Sequence, residues 1–153
     1  MRLIAVGRMK DAAEKALTER YLRRLSPPLV ITELPDGKGS PAEIKRREGE
    51  ALLKALPSRA FVIALDQGGR SLTSTAFASA LSEWQSGGRE ICFLIGGAEG
   101  LDAAVIGRAD QLLNFGQMTW PHMLVRIMLT EQIYRARAIL AGHPYHRSGR
   151  PED

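Results

Sequence analysis

The residues best suited to chemistry lie in the last third of the chain. A Gly-rich segment occupies 95–101, a Met-Thr-Trp-Pro-His segment occupies 118–122, and His-Pro-Tyr-His-Arg occupies 143–147 after a mainly apolar stretch. A turn without side chains lets a ligand approach backbone amides closely. A basic tail with an aromatic ring and two histidines can hold a polyanion nearby. This order predicts a small enzyme that binds a cofactor in backbone loops and acts on nucleic acid.

The glycine motif Gly96-Gly97-x-x-Gly100 matches no common nucleotide-binding fingerprint. Its spacing differs from Gly-x-Gly-x-x-Gly, and no Gly-Lys-Ser/Thr follows it. Two interpretations remain, a backbone cradle for a ligand or a tight turn between a strand and a helix. The absence of the dinucleotide fingerprint, with its acid about 20 residues later, argues against a nucleotide-dependent oxidoreductase.

The segment 115–120 offers backbone amides and carbonyls beside apolar side chains. Such a segment suits a ligand that contains adenine, which needs hydrogen bonds at its edge and apolar packing on its faces. Trp120 has an alternative interpretation as an ordinary core residue.

The histidines do not indicate a metal site, because His122, His143 and His146 lack the spacing of a helical metal-binding pair. His122 falls at the start of the last predicted helix, where it could act as a general base, bind the substrate backbone or serve only the helix start. Arg126, one turn later, could reach a substrate or close an ion pair at an interface.

The C-terminal tail combines three groups that recognise RNA. Tyr145 can stack on a base, Arg147 can bind a phosphate, and His146 can form a hydrogen bond with either. The alternative is a frayed terminus without a function.

The elements that must position these groups alternate between strand and helix. The predicted strands are 2–6, 29–34, 60–65, 90–95 and 111–115, and the predicted helices are 11–25, a helix from 41, 73–85, 101–109 and 121–140. Residues 67–70 are predicted to form a turn. This order predicts a single α/β domain with a parallel sheet and helices on both faces. In such a sheet, ligands bind beyond the carboxyl ends of the strands. Three chemically unusual segments lie at these ends, namely 65–68, 96–100 and 115–120.

Composition narrows the class of protein. A chain of 153 residues with 44% hydrophobic residues fits one domain, and its pI of about 9.6 favours an anionic partner. The single cysteine, Cys92, is predicted to lie in the core, which is consistent with a cytoplasmic protein. No apolar stretch approaches the ~20 residues of a membrane span, so no membrane association is expected. The nearly all-round apolar helix 121–140 predicts a homodimer interface.

Over essentially its full length, the sequence resembles the RlmH family of ribosomal RNA methyltransferases, in the knotted SPOUT superfamily. The resemblance is carried by the segments 5–7, 21–25, 44–49, 65–66, 93–101, 119–122, 124–126, 131–136 and 143–147. Ala98 stands where Pro is common in that family, and Trp120 stands where Leu or Phe is common. Because the backbone makes most of the cofactor contacts there, neither difference puts the cofactor site in doubt.

The resemblance implies a function that residue spacing alone does not give. Members transfer a methyl group from S-adenosylmethionine to N3 of a pseudouridine in helix 69 of 23S rRNA, on assembled 70S ribosomes. It implies one SPOUT domain over 1–153, a C-terminal trefoil knot, a homodimer, and a basic tail, 140–153, that contacts RNA near the partner's cofactor. The implied cofactor-binding residues are Leu65, Gly96, Phe115, Gly116, Gln117, Met118, Thr119 and Trp120.

The tail residues are the expected catalytic residues. His146 is the first candidate for assisting deprotonation of N3, Tyr145 would stack on the base, and Arg147 would hold phosphate. Methyl transfer without any base residue is also compatible with the sequence, because proximity and orientation supply much of such a reaction. A non-enzymatic RNA-binding protein is the main alternative, and it would bind RNA without binding S-adenosylmethionine.

Overall fold

The computed structural model describes residues 1–145, and within this range the chain forms five strands and five helices in strict alternation. They are β1 (Arg2–Val6), α1 (Ala12–Leu22), β2 (Val30–Leu34), α2 (Pro41–Ala55), β3 (Phe61–Ser71), α3 (Ser74–Ser86), β4 (Ile91–Ile95), α4 (Ala103–Arg108), β5 (Gln111–Asn114) and α5 (His122–Leu140). The strands form one sheet in the order β2-β1-β4-β3-β5, and every pair is parallel. The prediction of an α/β fold with a parallel sheet is confirmed.

The two faces of the sheet carry separate apolar cores, because side chains alternate along each strand. In β1, Leu3 and Ala5 join the core that includes residues of α3 and α5. Ile4 and Val6 join the opposite core with residues of α2 and α4. Both faces are therefore covered by helices, which explains why the central strands are apolar throughout.

Side-chain caps start several of the helices. Asp11 accepts two backbone N–H groups at α1, Ser40 and Glu43 form a reciprocal capping box at α2, and Thr73 caps α3. Such caps satisfy amides that have no partner inside the helix. The start of α5 differs, since Pro121 occupies the cap position without a side-chain hydrogen bond.

The third strand differs from the sequence prediction, which ended it at residue 65 and placed a turn at 67–70. In the structure β3 continues to Ser71, and its register shifts so that Leu65 and Arg70 both pair with Leu113. The intervening residues form an irregular bulge on the edge facing β5. Asn114 holds this bulge, because its side-chain amide donates to the carbonyls of residues 67 and 69 at 3.2 and 2.6 Å.

The other differences are confined to the ends of elements. The first helix ends at Leu22 and not at residue 25, because Arg23 and Arg24 already form a turn. Cys92 is fully buried, which confirms its core position. Burial raises the pKa of the Cys92 thiol to about 11, so the thiol stays protonated at neutral pH.

Candidate functional site

A cavity of about 400 Å³ opens where β3, β4 and β5 reach their carboxyl ends. The three segments that the sequence placed at strand ends all contribute to its walls. Its lining residues include Lys45, Leu65, Asp66, Gly96, Gly97, Glu99, Phe115, Gly116, Met118, Thr119, Trp120 and His122. The volume falls in the range of pockets for small ligands and cofactors.

Hydrogen bonds tie the cavity loops to one another. The Gln67 side-chain amide donates to the Thr119 hydroxyl at 3.0 Å, and the Gly116 amide donates to the Asn114 side-chain oxygen at 3.1 Å. The indole of Trp120 donates to the Phe115 carbonyl at 3.3 Å. These bonds join the bulge of β3 to the 115–120 loop and so hold the cavity walls together.

Apolar side chains stand exposed at the mouth of the cavity. Met118 is 73% exposed and Trp120 is 40% exposed. The interpretation of Trp120 as an ordinary core residue is therefore wrong. An exposed indole and thioether fit the flat, partly apolar surface of an adenine ring.

The structure brings together all but one of the expected cofactor-binding residues. Leu65, Gly96, Phe115, Gly116, Met118, Thr119 and Trp120 line the cavity. Gln117 is exposed and is not among the lining residues. The role of these residues in cofactor binding stays a prediction.

Tyr145, the first of the three expected catalytic residues, packs away from this cavity within one subunit. The Tyr145 hydroxyl lies 3.1 Å from a carboxylate oxygen of Glu131, and its ring stacks edge-on against Tyr134 with centroids 4.6 Å apart. Burial, together with the neighbouring Tyr21 and Glu131, raises the pKa of Tyr145 to about 12. His146 and Arg147 lie outside the described residues, so their predicted roles remain predictions.

His122, the first residue of α5, lines the cavity on the side of β1. A methyl group on Gly7 would lie 3.3 Å from His122 Nε2 and 2.9 Å from Asp36 Oδ1. The φ of 87° at Gly7 favours glycine, and a larger residue would also displace the Asp36 side chain. Burial and the charge of Arg126 hold the pKa of His122 below its usual value, while Asp36, Glu48 and Glu14 oppose that shift.

Glu48 is a buried carboxylate behind the glycine turn. Its side chain is on α2, and the residue is only 5% exposed. Oε1 accepts the Gly37 amide at 2.8 Å, whereas Oε2 is buried without a hydrogen-bond partner among residues 1–145. A methyl group on Gly97 would lie 2.7 Å from that oxygen. The carboxylate therefore joins the β2–α2 loop to a wall of the cavity.

Arg126 is directed inward, toward the strand ends of its own chain. The residue is 1% exposed, and its guanidinium forms an ion pair with Glu33 of the same chain at 3.1 Å. It also donates to the carbonyls of Val6 and Gly7 at the end of β1. Arg126 thus fixes α5 to the strand ends beside the cavity.

Sequence reasoning missed Glu48 and Asn114 as residues that build the site. Glu48 lies in a strongly charged helix, where a solvent-exposed carboxylate is the ordinary expectation. Two signals were available: Gly49 beside it, a poor helix former that allows close packing against Asp102, and the family resemblance of the segment 44–49 that contains both residues. Asn114 ends a weak strand, a position where side-chain hydrogen bonds to the backbone are common.

Neither a membrane-spanning helix nor a metal-binding cluster is present in the described part of the chain. No helix among those residues is long and apolar enough to cross a membrane. Residues 1–145 also contain no group of three or more His, Cys, Asp or Glu side chains arranged to hold a metal ion.

Comparisons with known proteins connect this geometry to an activity. A family model described as "predicted SPOUT methyltransferase" matches residues 1–146. A protein named ribosomal RNA large subunit methyltransferase H from Gluconacetobacter diazotrophicus is 64% identical over 151 residues, with 99% of both chains covered. A protein of the same name from Acidiphilium cryptum is 53% identical, with 99% of this chain and 96% of that protein covered.

The fold also matches a solved structure. A probable methylase family protein from Haemophilus influenzae aligns with a TM-score of 0.58 over 99% of this chain and 72% of that chain. The two sequences are only 10% identical, so this likeness bears on the fold alone.

Proposed function

We propose that this chain, which belongs to the SPOUT methyltransferase family, is an RNA-modifying enzyme. It transfers a methyl group from S-adenosylmethionine to N3 of a pseudouridine in helix 69 of 23S rRNA. The names of its relatives support large-subunit rRNA as the substrate. The finer details of the proposal rest on the family resemblance of the sequence. These details are the pseudouridine, its N3 atom and the action on assembled 70S ribosomes in the cytoplasm. The observation that carries the proposal is the cavity at the carboxyl ends of β3, β4 and β5.

The cavity residues fit S-adenosylmethionine. Gly96 and Gly116 present backbone without side chains, and Leu65, Met118 and Trp120 provide apolar surface for the adenine. The cofactor supplies an electrophilic methyl group on a positively charged sulfur. The cavity would hold that group in line with the attacking nitrogen, and such positioning accounts for much of the rate of a methyl transfer.

The carboxylates of the cavity wall suit the polar part of the same ligand. Asp66 and Glu99 both line the cavity, and carboxylates accept hydrogen bonds from hydroxyl and ammonium groups. One Asp66 oxygen already accepts the Gly68 amide at 2.8 Å, which fixes the orientation of its carboxylate.

The tail would act on the RNA side of the reaction. In this proposal Tyr145 stacks on the target base, Arg147 binds phosphate and His146 assists the loss of the N3 proton. Tyr145 packs against α5 of its own subunit, away from the cavity. This placement supports an arrangement in which the tail serves the cavity of the partner subunit.

A homodimer accounts for the apolar residues that remain exposed on α1 and α5. Leu17 and Leu124 are each 39% exposed, and Leu140 is 49% exposed. A second cavity of about 510 Å³ lies between α1, α3 and α5, with Tyr21 and Met128 in its walls. Burial of such surface is the usual driving force for association.

The trefoil knot is the remaining part of the proposal. In a knotted SPOUT domain the last helix passes through a loop of the chain. The contacts of α5 with both α1 and α3, elements far apart in the sequence, are compatible with that path.

The function is tested by incubating the purified protein with 70S ribosomes and methyl-labelled S-adenosylmethionine, followed by nucleoside analysis of the 23S rRNA. We expect label on N3 of a pseudouridine in helix 69, and little label when naked rRNA replaces ribosomes. Binding to ribosomes without any methyl transfer would instead support a non-enzymatic ribosome-binding protein.

A test of the tail uses single-turnover methyl transfer. His146→Ala is expected to slow the transfer and change its pH dependence. An unchanged rate and an unchanged pH profile would show that His146 does not assist deprotonation.

A further inference from the structure

His122 lines the cavity at its end nearest β1, and two carboxylates, Asp36 and Glu48, lie close to the cavity wall without lining it. His122 belongs to α5, Asp36 to the loop after β2, and Glu48 to α2. His122 Nε2 and Asp36 Oδ1 flank the same point above Gly7. His122 and Gly97 line the same cavity, and Glu48 Oε2 lies directly behind Gly97. The fold therefore brings the start of α5 close to the β2–α2 region, which is far away in the sequence.

Several atoms of this cluster have no structural use in the described part of the chain. The His122 imidazole and the Asp36 carboxylate form no hydrogen bond with another side chain or the backbone among residues 1–145. Glu48 Oε2 is buried without a partner. Burying an unsatisfied carboxylate oxygen costs free energy, so a functional role for that oxygen would explain its retention.

We propose that His122 accepts the N3 proton during methyl transfer and that the negative charges of Glu48 and Asp36 stabilise the imidazolium that forms. This inference rests on the proposed function and names the proton acceptor of the same site. His146 would then assist by a hydrogen bond to the base. Glu48 and Asp36 are positioning residues, because they act through His122.

The charge balance of the step is simple. The N3–H bond breaks, and its proton moves to an imidazole nitrogen of His122. The N3 electron pair forms a bond to the methyl carbon, the bond from that carbon to sulfur breaks, and its electron pair stays on sulfur as a neutral thioether. The proton on His122 is later lost to water. No other reactant is needed.

The surroundings of His122 keep the imidazole neutral before the reaction, as a proton acceptor requires. Burial lowers the pKa of His122, and Arg126 on α5 lowers it further. The amino-terminal end of α5 also disfavours a positive charge. Three carboxylates favour the charged form, namely Asp36, Glu48 and Glu14 on α1. Lys45, Asp66 and Glu99 are the other charged residues that line the same cavity.

Two variants test the acceptor directly in single-turnover transfer to 70S ribosomes from acid to neutral pH. His122→Gln should slow the transfer by a factor of about 100 or more, the ordinary contribution of a general base, and should abolish the fall in rate at acid pH. Glu48→Gln preserves the shape and should slow the transfer at least severalfold. The matched control is Glu50→Gln on the same helix, where the carboxylate is exposed and pairs with Arg46; it should behave as wild type.

A spectroscopic measurement tests the positioning role without activity. The pKa of His122, followed by NMR of its ring, should fall in Glu48→Gln and in Asp36→Asn, because each change removes a negative charge that favours the imidazolium. Asp36 is an exposed loop residue, so Asp36→Asn keeps the test available if changes at the buried Glu48 prevent folding. An unchanged His122 pKa in both variants would refute the role of the two carboxylates.

Calorimetric binding of S-adenosylmethionine separates this inference from the proposed function. If the wild-type protein does not bind S-adenosylmethionine, the proposed function fails. If wild type and His122→Gln both bind S-adenosylmethionine and both transfer the methyl group at the same rate and with the same pH profile, the proposed function stands and His122 is not the proton acceptor.

Discussion

Replacing Arg126 with methionine should destabilise the protein strongly, because the guanidinium joins three acceptors at the base of the site. It donates to the Val6 carbonyl, to the Gly7 carbonyl at 2.8 Å and to Glu33 at 3.1 Å. Methionine approximates the length of the side chain but provides no donors. Arg126→Met therefore leaves two main-chain oxygens and a carboxylate without their partner.

The size of the loss follows from burial. Removing one member of a buried ion pair costs about 3–5 kcal/mol of unfolding free energy. The Arg126 side chain is 1% exposed, but the Glu33 side chain is 33% exposed and still accepts the Met9 amide at 2.8 Å. Water can replace part of what Glu33 loses, so we expect the lower end of the range, about 3 kcal/mol.

The assay is urea denaturation at a fixed protein concentration, since association would make the apparent stability depend on concentration. The matched control is Arg46→Met, which breaks an exposed pair with Glu50 and should change the free energy of unfolding by less than about 1 kcal/mol. If Arg126→Met costs no more than Arg46→Met, the buried pair does not fix α5 to the strand ends and this reasoning is wrong.

Three further predictions concern the core, the glycine turn and an open helix position. Cys92 should resist a thiol reagent at neutral pH in the native protein and react fully in denaturant, because burial raises the pKa of its thiol to about 11. Gly97→Ala should lower the free energy of unfolding by about 1–3 kcal/mol, since the new methyl group meets Glu48 Oε2 at 2.7 Å. A double-mutant cycle with Glu48→Ala should remove most of that penalty, and additive losses would contradict the contact. Gly107→Ala in α4 should raise the free energy of unfolding by about 0.5–1 kcal/mol, because nothing lies within 4 Å of the added methyl group; a loss measured in urea would show that the site is not open.

The sequence predicted the order of the elements well, because apolar runs and helical spacing reflect local geometry. Strand β1 and the start of α2 lie where the pattern placed them. The end of β3 was predicted wrongly, since Gly68 and Gly69 normally indicate a turn. The bulge that replaces the turn depends on Asn114, 45 residues away from one of its carbonyl partners, and no local pattern contains that information.

The candidate site was predictable where it consists of backbone and much less where it consists of paired side chains. The convergence of three strand ends follows from the topology of a parallel sheet. The partner of Arg126 is Glu33, 93 residues away, and the burial of Glu48 depends on how α2 packs against the Gly97 turn. Such long-range contacts become visible only once the fold is known.

The most direct test of the account is calorimetric titration of S-adenosylmethionine into the purified protein, alone and with 70S ribosomes present. We expect micromolar binding to the wild-type protein and much weaker binding to Trp120→Ala, which removes the exposed indole from the cavity mouth. The Glu50→Gln variant serves as the control and should bind as wild type. Failure of the wild-type protein to bind S-adenosylmethionine under either condition would contradict the central claim that this cavity holds the methyl donor.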